Sequence, residues 1–367
     1  MDPLKQQQLS MPVVEVFLSV EEELLLNVAN LLKKHQSLLT VDGIQSWQAE
    51  QLAQLESLTQ RNIITIAKHA GLSIDAVTEM LEEAGYSAVD ENEGSLTAAV
   101  QQGLLIQAPA IASSNALQAV IISYQNQAKE TFNLVNSTLL DQSRQIYLDI
   151  INQTVGKVLA GTSTPQEALR ETARKWAEKG VPALIDKAGR QWSTEAYINA
   201  VVRSMSNNVA NDMQDTRMDE YGADLVEISS HSGARPKCAK YQGRIFSRSR
   251  RHPKYPSLSS TSYGEPDGLF GINCRHVKYP FIEGITKRTY KSYPAEENRK
   301  VYEQSQQQRY LERRIRQAKR ELNMMSAIGD DFGIKMAKQR VRERQATMRE
   351  FIAATGRGRH YQREQID

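Results

Sequence analysis

HSGARPKCAKYQGRIFS (residues 231–247) and YGEPDGLFGINCRHVKYPF (residues 263–281) decide the fold of this 367-residue chain. Gly233, Pro236, Gly243, Gly264, Pro266, Gly268, Gly271 and Pro280 punctuate them, a density of breakers that no helix tolerates. Between the breakers lie short β-type runs, Arg244 to Phe246 and Val277 to Tyr279, and the alternating Leu225 to Ile228 leads into the stretch. Residues 225–283 therefore read as a small β-containing knob. Almost everything outside it has helical periodicity, so the expected fold is mainly α with a small α+β knob.

The stretch holds both cysteines of the protein and two of its six histidines. His231, Cys238, Cys274 and His276 are the thiolate and imidazole ligands that zinc prefers, and four of them would make a closed structural site. Cys274 and His276 alternate in an extended segment and would share one face. Their spacings, H-x6-C and C-x-H, are not those of close-spaced zinc knuckles, and buried thiols with surface histidines remain the plain reading. A Cys/His hydrolase, or a nuclease using His231, His252 or His276, would need an orienting carboxylate or clustered metal-binding acids that the stretch does not supply.

Between the two clusters, eight basic residues stand without an acid: Arg235, Lys237, Lys240, Arg244, Arg248, Arg250, Arg251 and Lys254. Tyr241, Phe246 and Tyr255 are interleaved with them. Such a loop suits phosphate contact and base stacking, or it is a solvated loop whose aromatics anchor it to the core. Charge along the chain supports the first reading. Residues 1–150 carry 18 acids against 7 bases, so the remaining 217 residues carry a net +14. A non-specific contact of the basic half with double-stranded DNA follows as an expectation.

Upstream, Ser19-Val-Glu-Glu22 has the form of a capping box and predicts a helix from about Val20 to His35, with a second near Trp47 to Leu58. Ala67 to Val77 has the look of a helix-turn-helix, yet Asp75, Glu79, Glu82 and Glu83 on its second arm would repel DNA, so a packed helical hairpin is expected. Gly85 to Ser114 reads as a linker. Helical periodicity returns from Asn115 to Gly161, Thr164-Pro-Gln-Glu167 opens another helix, and Ser193 or Thr194 caps one that Gly222 ends. Near the C-terminus, Leu311, Ile315, Ala318, Leu322 and Met325 form an a/d seam that faces Ile334, Val341, Met348 and Ile352 across the breaker Gly329 to Gly333. The segments are an acidic helical region (1–114), a helical part (115–224), the knob (225–283) and a basic C-terminal hairpin with its tail (284–367).

No apolar run is long enough to span a membrane, the N-terminus lacks a signal-peptide layout, and two cysteines make no disulfide framework. Synthesis in a cytoplasm is expected.

The two clusters, together with GTSTPQEALRETARKWAEKGVPALIDKAGRQWSTEAYINAVVRS (161–204) and QQQRYLERRIRQAKR (306–320), resemble the phage minor capsid protein 2 family, a relative of the Mu F-type head morphogenesis proteins. The resemblance covers roughly residues 150–355. It implies a structural protein of a tailed phage or prophage, present in few copies inside the head and made in the host cytoplasm. Its implied partners are the portal or the major capsid protein, with a role in head assembly and in DNA packaging or ejection and with no catalysis. Shorter Mu F-type relatives tend to carry a C-x-x-C pair in the first cluster, where this chain has Cys238 alone with His231 upstream. The second cluster, Asn273-Cys274-Arg275-His276, keeps the family's form, which supports structural zinc as the cofactor.

Overall fold

A computed structural model describes residues 3–366 and gives a mainly helical chain with two small antiparallel sheets. In chain order the elements are α1 (Pro3–Leu32), α2 (Ile44–Ala53), α3 (Leu55–Gln101), α4 (Asn115–Leu159) and α5 (Pro165–Lys179). The hairpin β1 (Pro182–Ile185) and β2 (Gln191–Ser193) follows, then α6 (Thr194–Tyr221). The knob contains β3 (Leu225–Ile228), the single turn α7 (Pro236–Ala239), β4 (Ile245–Ser247) and β5 (Lys278–Pro280). The chain closes on α8 (Ala295–Ile328) and α9 (Asp331–Thr355). No described helix is long and apolar enough to cross a membrane.

The chain divides into two compact units, each assembled from three separate stretches. The first takes the N-terminal stretch to Val14, Ile74–Thr131 and Asn199–Ser305, and so contains the whole knob. Here β3 is the central strand of a sheet ordered β4-β3-β5, with Val226 opposite both Phe246 and Pro280. All four β3 residues are buried, which a central strand covered on both faces requires. Val226, Ile228, Phe246, Leu258 and Leu269 share one core with Leu96 and Ala99 of α3 and Met218 and Tyr221 of α6. The knob therefore buries its apolar side chains against helices. Glu227 on β3 is buried too, and its carboxylate accepts the backbone N–H groups of Thr289 and Tyr290.

The second unit takes Glu15–Ser73, Phe132–Ile198 and Gln306–Asp367. In it the capping box at Thr164 is present in both directions, with Pro165 at the first helical position, as the sequence predicts. The C-terminal hairpin forms as well. Leu311 and Ile315 of α8 bury against Met348, Phe351 and Ile352 of α9, and Arg170 of α5 grips Asp330, the N-cap of α9, with two nitrogens.

Three upstream expectations fail, each for a physical reason. Ser19 does not cap a helix. It lies inside α1, its hydroxyl donating to the carbonyl of Glu15, because the stripe Val13, Phe17, Val20, Leu24, Val28, Leu31 continues the buried face upstream. The turn at Gly71 is absent, since α3 runs unbroken from Leu55 to Gln101 and Gly71 keeps ordinary helical backbone with nothing near its missing side chain. The linker expected from Gly85 is helix as far as Gln101. Gly85 is instead a close approach, where an added Cβ would lie 2.9 Å from Ile121 Cδ1 of α4 and 3.1 Å from Met213 Cγ of α6. A glycine that lets helices touch and a glycine that ends one look alike in sequence.

Candidate functional site

Three chain segments converge inside the knob. Arg235-Pro236 starts the α7 turn, with Pro at its first position, and this turn presents Cys238 to the interior. Before β5, Phe270 and Asn273 both take positive φ, at 61° and 57°. That left-handed backbone is costly for a phenylalanine and easier for an asparagine. Together they fold the chain back so that Cys274 is buried in the same core as Cys238. The sulfurs of Cys238 and Cys274 and an imidazole nitrogen of His276 all lie within 4.8 Å of one another. All three residues are buried, Cys238 and His276 to 1% exposure and Cys274 to 4%.

The hydrogen bonds around them are directional. Cys274 Sγ lies 3.4 Å from His276 Nδ1 and accepts the His276 backbone N–H at 3.5 Å. Gln242 Nε2 donates to His276 Nε2 at 3.0 Å and to the carbonyl of His231 at 2.9 Å. Cys238 Sγ donates to the carbonyl of Gly268. Hydrogen bonding between the thiols splits their acidities: Cys238 is raised by its bond to Cys274 and by burial, and Cys274 is lowered by Cys238 and by His276.

His231 stands apart from that trio but against it. Its ring centroid is 4.6 Å from that of His276, with the planes tilted by 33°. Nδ1 faces the carbonyl of Ser232 at 3.2 Å, and Nε2 is buried without a hydrogen-bond partner. Burial first, then the neighbouring His276, pushes its pKa down to about 4. The sequence-derived quartet is thus brought together as three converging ligand atoms with a neutral imidazole stacked beside them.

The basic loop is less free than its sequence suggests. Arg235 donates to the carbonyls of Asp267 and Ile272, and Lys237 pairs with Glu265 and Asp267. Arg248 pairs with Asp215 and Asp219 of α6, and Lys254 pairs with Glu283. Lys240 and Arg244 are exposed, with their charged heads over the rings of Tyr241 and Phe246. Arg250 and Arg251 are exposed and have no ion-pair partner among the described residues. His252 contacts Tyr255 and Glu283. Three of the eight cations, Lys237, Arg248 and Lys254, are therefore paired with acids outside the 235–254 window, and Arg235 is held by two backbone carbonyls.

One constellation escapes the sequence reading. On α6 the side chains of Ser204, Asn207, Asn211, Asp215 and Asp219 recur at three and four and face the knob. Ser204 Oγ accepts the backbone N–H of Asn273, Asn207 and Asn211 donate to the carbonyl of His276, and Asn211 Oδ1 accepts the N–H of Lys278. Asp215 pairs with Lys278, whose side chain is 2% exposed and whose ammonium lies 5.1 Å over the Phe270 ring. The stripe grips the backbone on both sides of Cys274. Its signal is the recurrence of short polar residues at three and four along one helix.

The family model described as phage minor capsid protein 2 matches residues 1–353. A protein of Lactococcus phage LL-H named "Structural protein" is 31% identical over 327 residues, 86% of each chain. A second "Structural protein", from Lactococcus phage mv4, is 35% identical over 118 residues, which are 32% of this chain and 96% of its own. No solved structure matches the chain.

Proposed function

Since this chain belongs to the phage minor capsid protein 2 family and is a structural component of a phage virion, we propose that it sits inside the head near the portal. There it aids head assembly and the packaging or ejection of DNA, contacting the portal or the major capsid protein. The observation that carries this reading is the match of the family description across residues 1–353. Mass spectrometry of purified heads after light crosslinking tests it. A few copies per head joined to portal or shell is the expected result; absence from heads, with abundant soluble protein, overturns it.

The role is non-catalytic. Burial of Cys238, Cys274 and His276 to between 1% and 4% exposure supports this, because a nucleophile and its base must meet substrate. Esterase or nuclease activity lost in Cys274→Ser would favour the alternative, a Cys/His hydrolase or zinc-dependent nuclease delivered with the genome.

A non-specific contact with double-stranded DNA is assigned to the exposed cations without carboxylate partners, Lys240, Arg244, Arg250 and Arg251. Filter binding should show an affinity that falls steeply with salt, and Arg250→Ala with Arg251→Ala should flatten that slope by about two phosphate contacts. An unchanged slope in the double variant removes this part of the reading.

A further inference from the structure

We propose that Cys238, Cys274, His276 and His231 form a closed Zn2+ site that locks the α7 turn to the strand β5, with the two sulfurs, His276 Nδ1 and His231 Nε2 as ligands. Three observations carry it. The atoms already converge: three of them lie within 4.8 Å of one another, and Cys274 Sγ to His276 Nδ1 is 3.4 Å. Ligands about 2.0–2.3 Å from a tetrahedral ion sit roughly 3.3–3.8 Å apart, so these three need only a small contraction.

Second, the orphaned atom is of the right kind and belongs to a ring stacked against the trio, although it lies outside the 4.8 Å group. His231 donates Nδ1–H to a backbone carbonyl, which fixes the tautomer that leaves the lone pair on Nε2. That Nε2 is buried, beside His276, with no partner. A backbone carbonyl behind an imidazole is the support that metal-ligating histidines use. Gln242 offers the matching support to His276: its buried Oε1 has no partner, and a half-turn of the amide, at the expense of its bond to the His231 carbonyl, would accept Nε2–H.

Third, the surroundings suit a structural ion. The His276 backbone N–H already points at Cys274 Sγ, a contact that stabilises a metal-bound thiolate. The segments being joined are short and irregular, with left-handed backbone at Phe270 and Asn273 on one side of the site. Loading deprotonates both thiols, and the released protons pass to solvent. The ion's two positive charges meet two thiolates, so the buried site is neutral.

The experiment uses the full chain, reduced and stripped of metal, then loaded with Zn2+ or Co2+. One metal per chain, a near-ultraviolet thiolate-to-cobalt band and a lower thermal midpoint on chelation are expected. Zinc content near zero after loading, with both thiols free, overturns the proposal. Cys274→Ser should abolish binding; because it risks misfolding, His231→Ala is the second variant, keeping both thiolates while weakening zinc by more than about tenfold. Unchanged affinity and cobalt spectrum in His231→Ala overturn the four-ligand site.

Discussion

In the C-terminal hairpin, Leu311 and Ile315 of α8 meet Met348 of α9 in an apolar cluster, and one ion pair, Arg340 to Glu321, joins the two helices beyond it. In the knob, the strand β5 is held to α6 by Asn207, Asn211, Asp215 and a buried lysine, Lys278. An apolar seam is non-directional and tolerates repacking, so losing one methyl costs one methyl. A polar seam fixes position, because every member needs its own partner at a set distance. The knob must hold two short segments with few apolar side chains in a single register, and directional bonds do what packing cannot. The hairpin only has to keep two long helices together.

The largest effect that separates the two regions should come from Asp215→Ala. It strands Lys278 as a buried ammonium and strips Arg248 of one carboxylate, at a cost of about 3–5 kcal/mol. Hydrogen exchange at the β3 amides should quicken strongly while the α8 and α9 amides of the hairpin keep their protection. Combining Asp215→Leu with Lys278→Met should recover most of the loss, since no uncompensated charge remains. A double variant as damaged as the single one would mean that position, and not charge, is what the pair supplies.

A buried acid of the second unit sharpens the contrast through pH. Burial lifts Glu22 to about 7, against a partial offset from the Asn323 amide that donates to it. A carboxyl raised in the folded state binds its proton more tightly there than in the unfolded chain, so stability falls as pH rises from about 4.5 towards 7. The isostere Glu22→Gln should remove that slope and stabilise the protein at pH 8 by on the order of 1–3 kcal/mol. Parallel urea titrations at pH 5 and pH 8 measure it; an undiminished slope in the variant assigns the effect to another group, Glu312 being raised in the same way.

Ile315→Val should cost the hairpin only about 1 kcal/mol, the ordinary price of one buried methylene in a seam that can relax. A loss several times greater would show the hairpin to be as rigidly specified as the knob. The smallest effect is a gain. Gly71→Ala, inside α3 with open space where the methyl would go, should stabilise by about 0.5–1 kcal/mol, read as a rise in thermal midpoint. Destabilisation would restore the turn that the sequence suggests at that glycine.

What the sequence by itself determined follows from local rules and period. Thr164-Pro-Gln-Glu167 names a helix start because its four residues satisfy one another's backbone groups, and they do so here. The seven-residue recurrence of Val341 and Met348 names a helix face. The breakers of residues 231–281 name a non-helical knob, and its strands fall within two residues of the predicted runs. The tertiary structure decided whatever depended on distant partners. Gly85 is a contact and not a hinge because Ile121 and Met213 arrive beside it. Lys237, Arg248 and Lys254 are internal ion pairs because Asp267, Asp215 and Glu283 lie tens of residues away in sequence and within 3.0 Å in space. Cys238 and Cys274 meet in a core shared with distant residues, beside a ladder of short polar side chains on α6 that holds the His276 carbonyl. A pattern with a period is written into neighbouring residues, whereas a charge or a glycine acquires its role from whatever the fold sets against it.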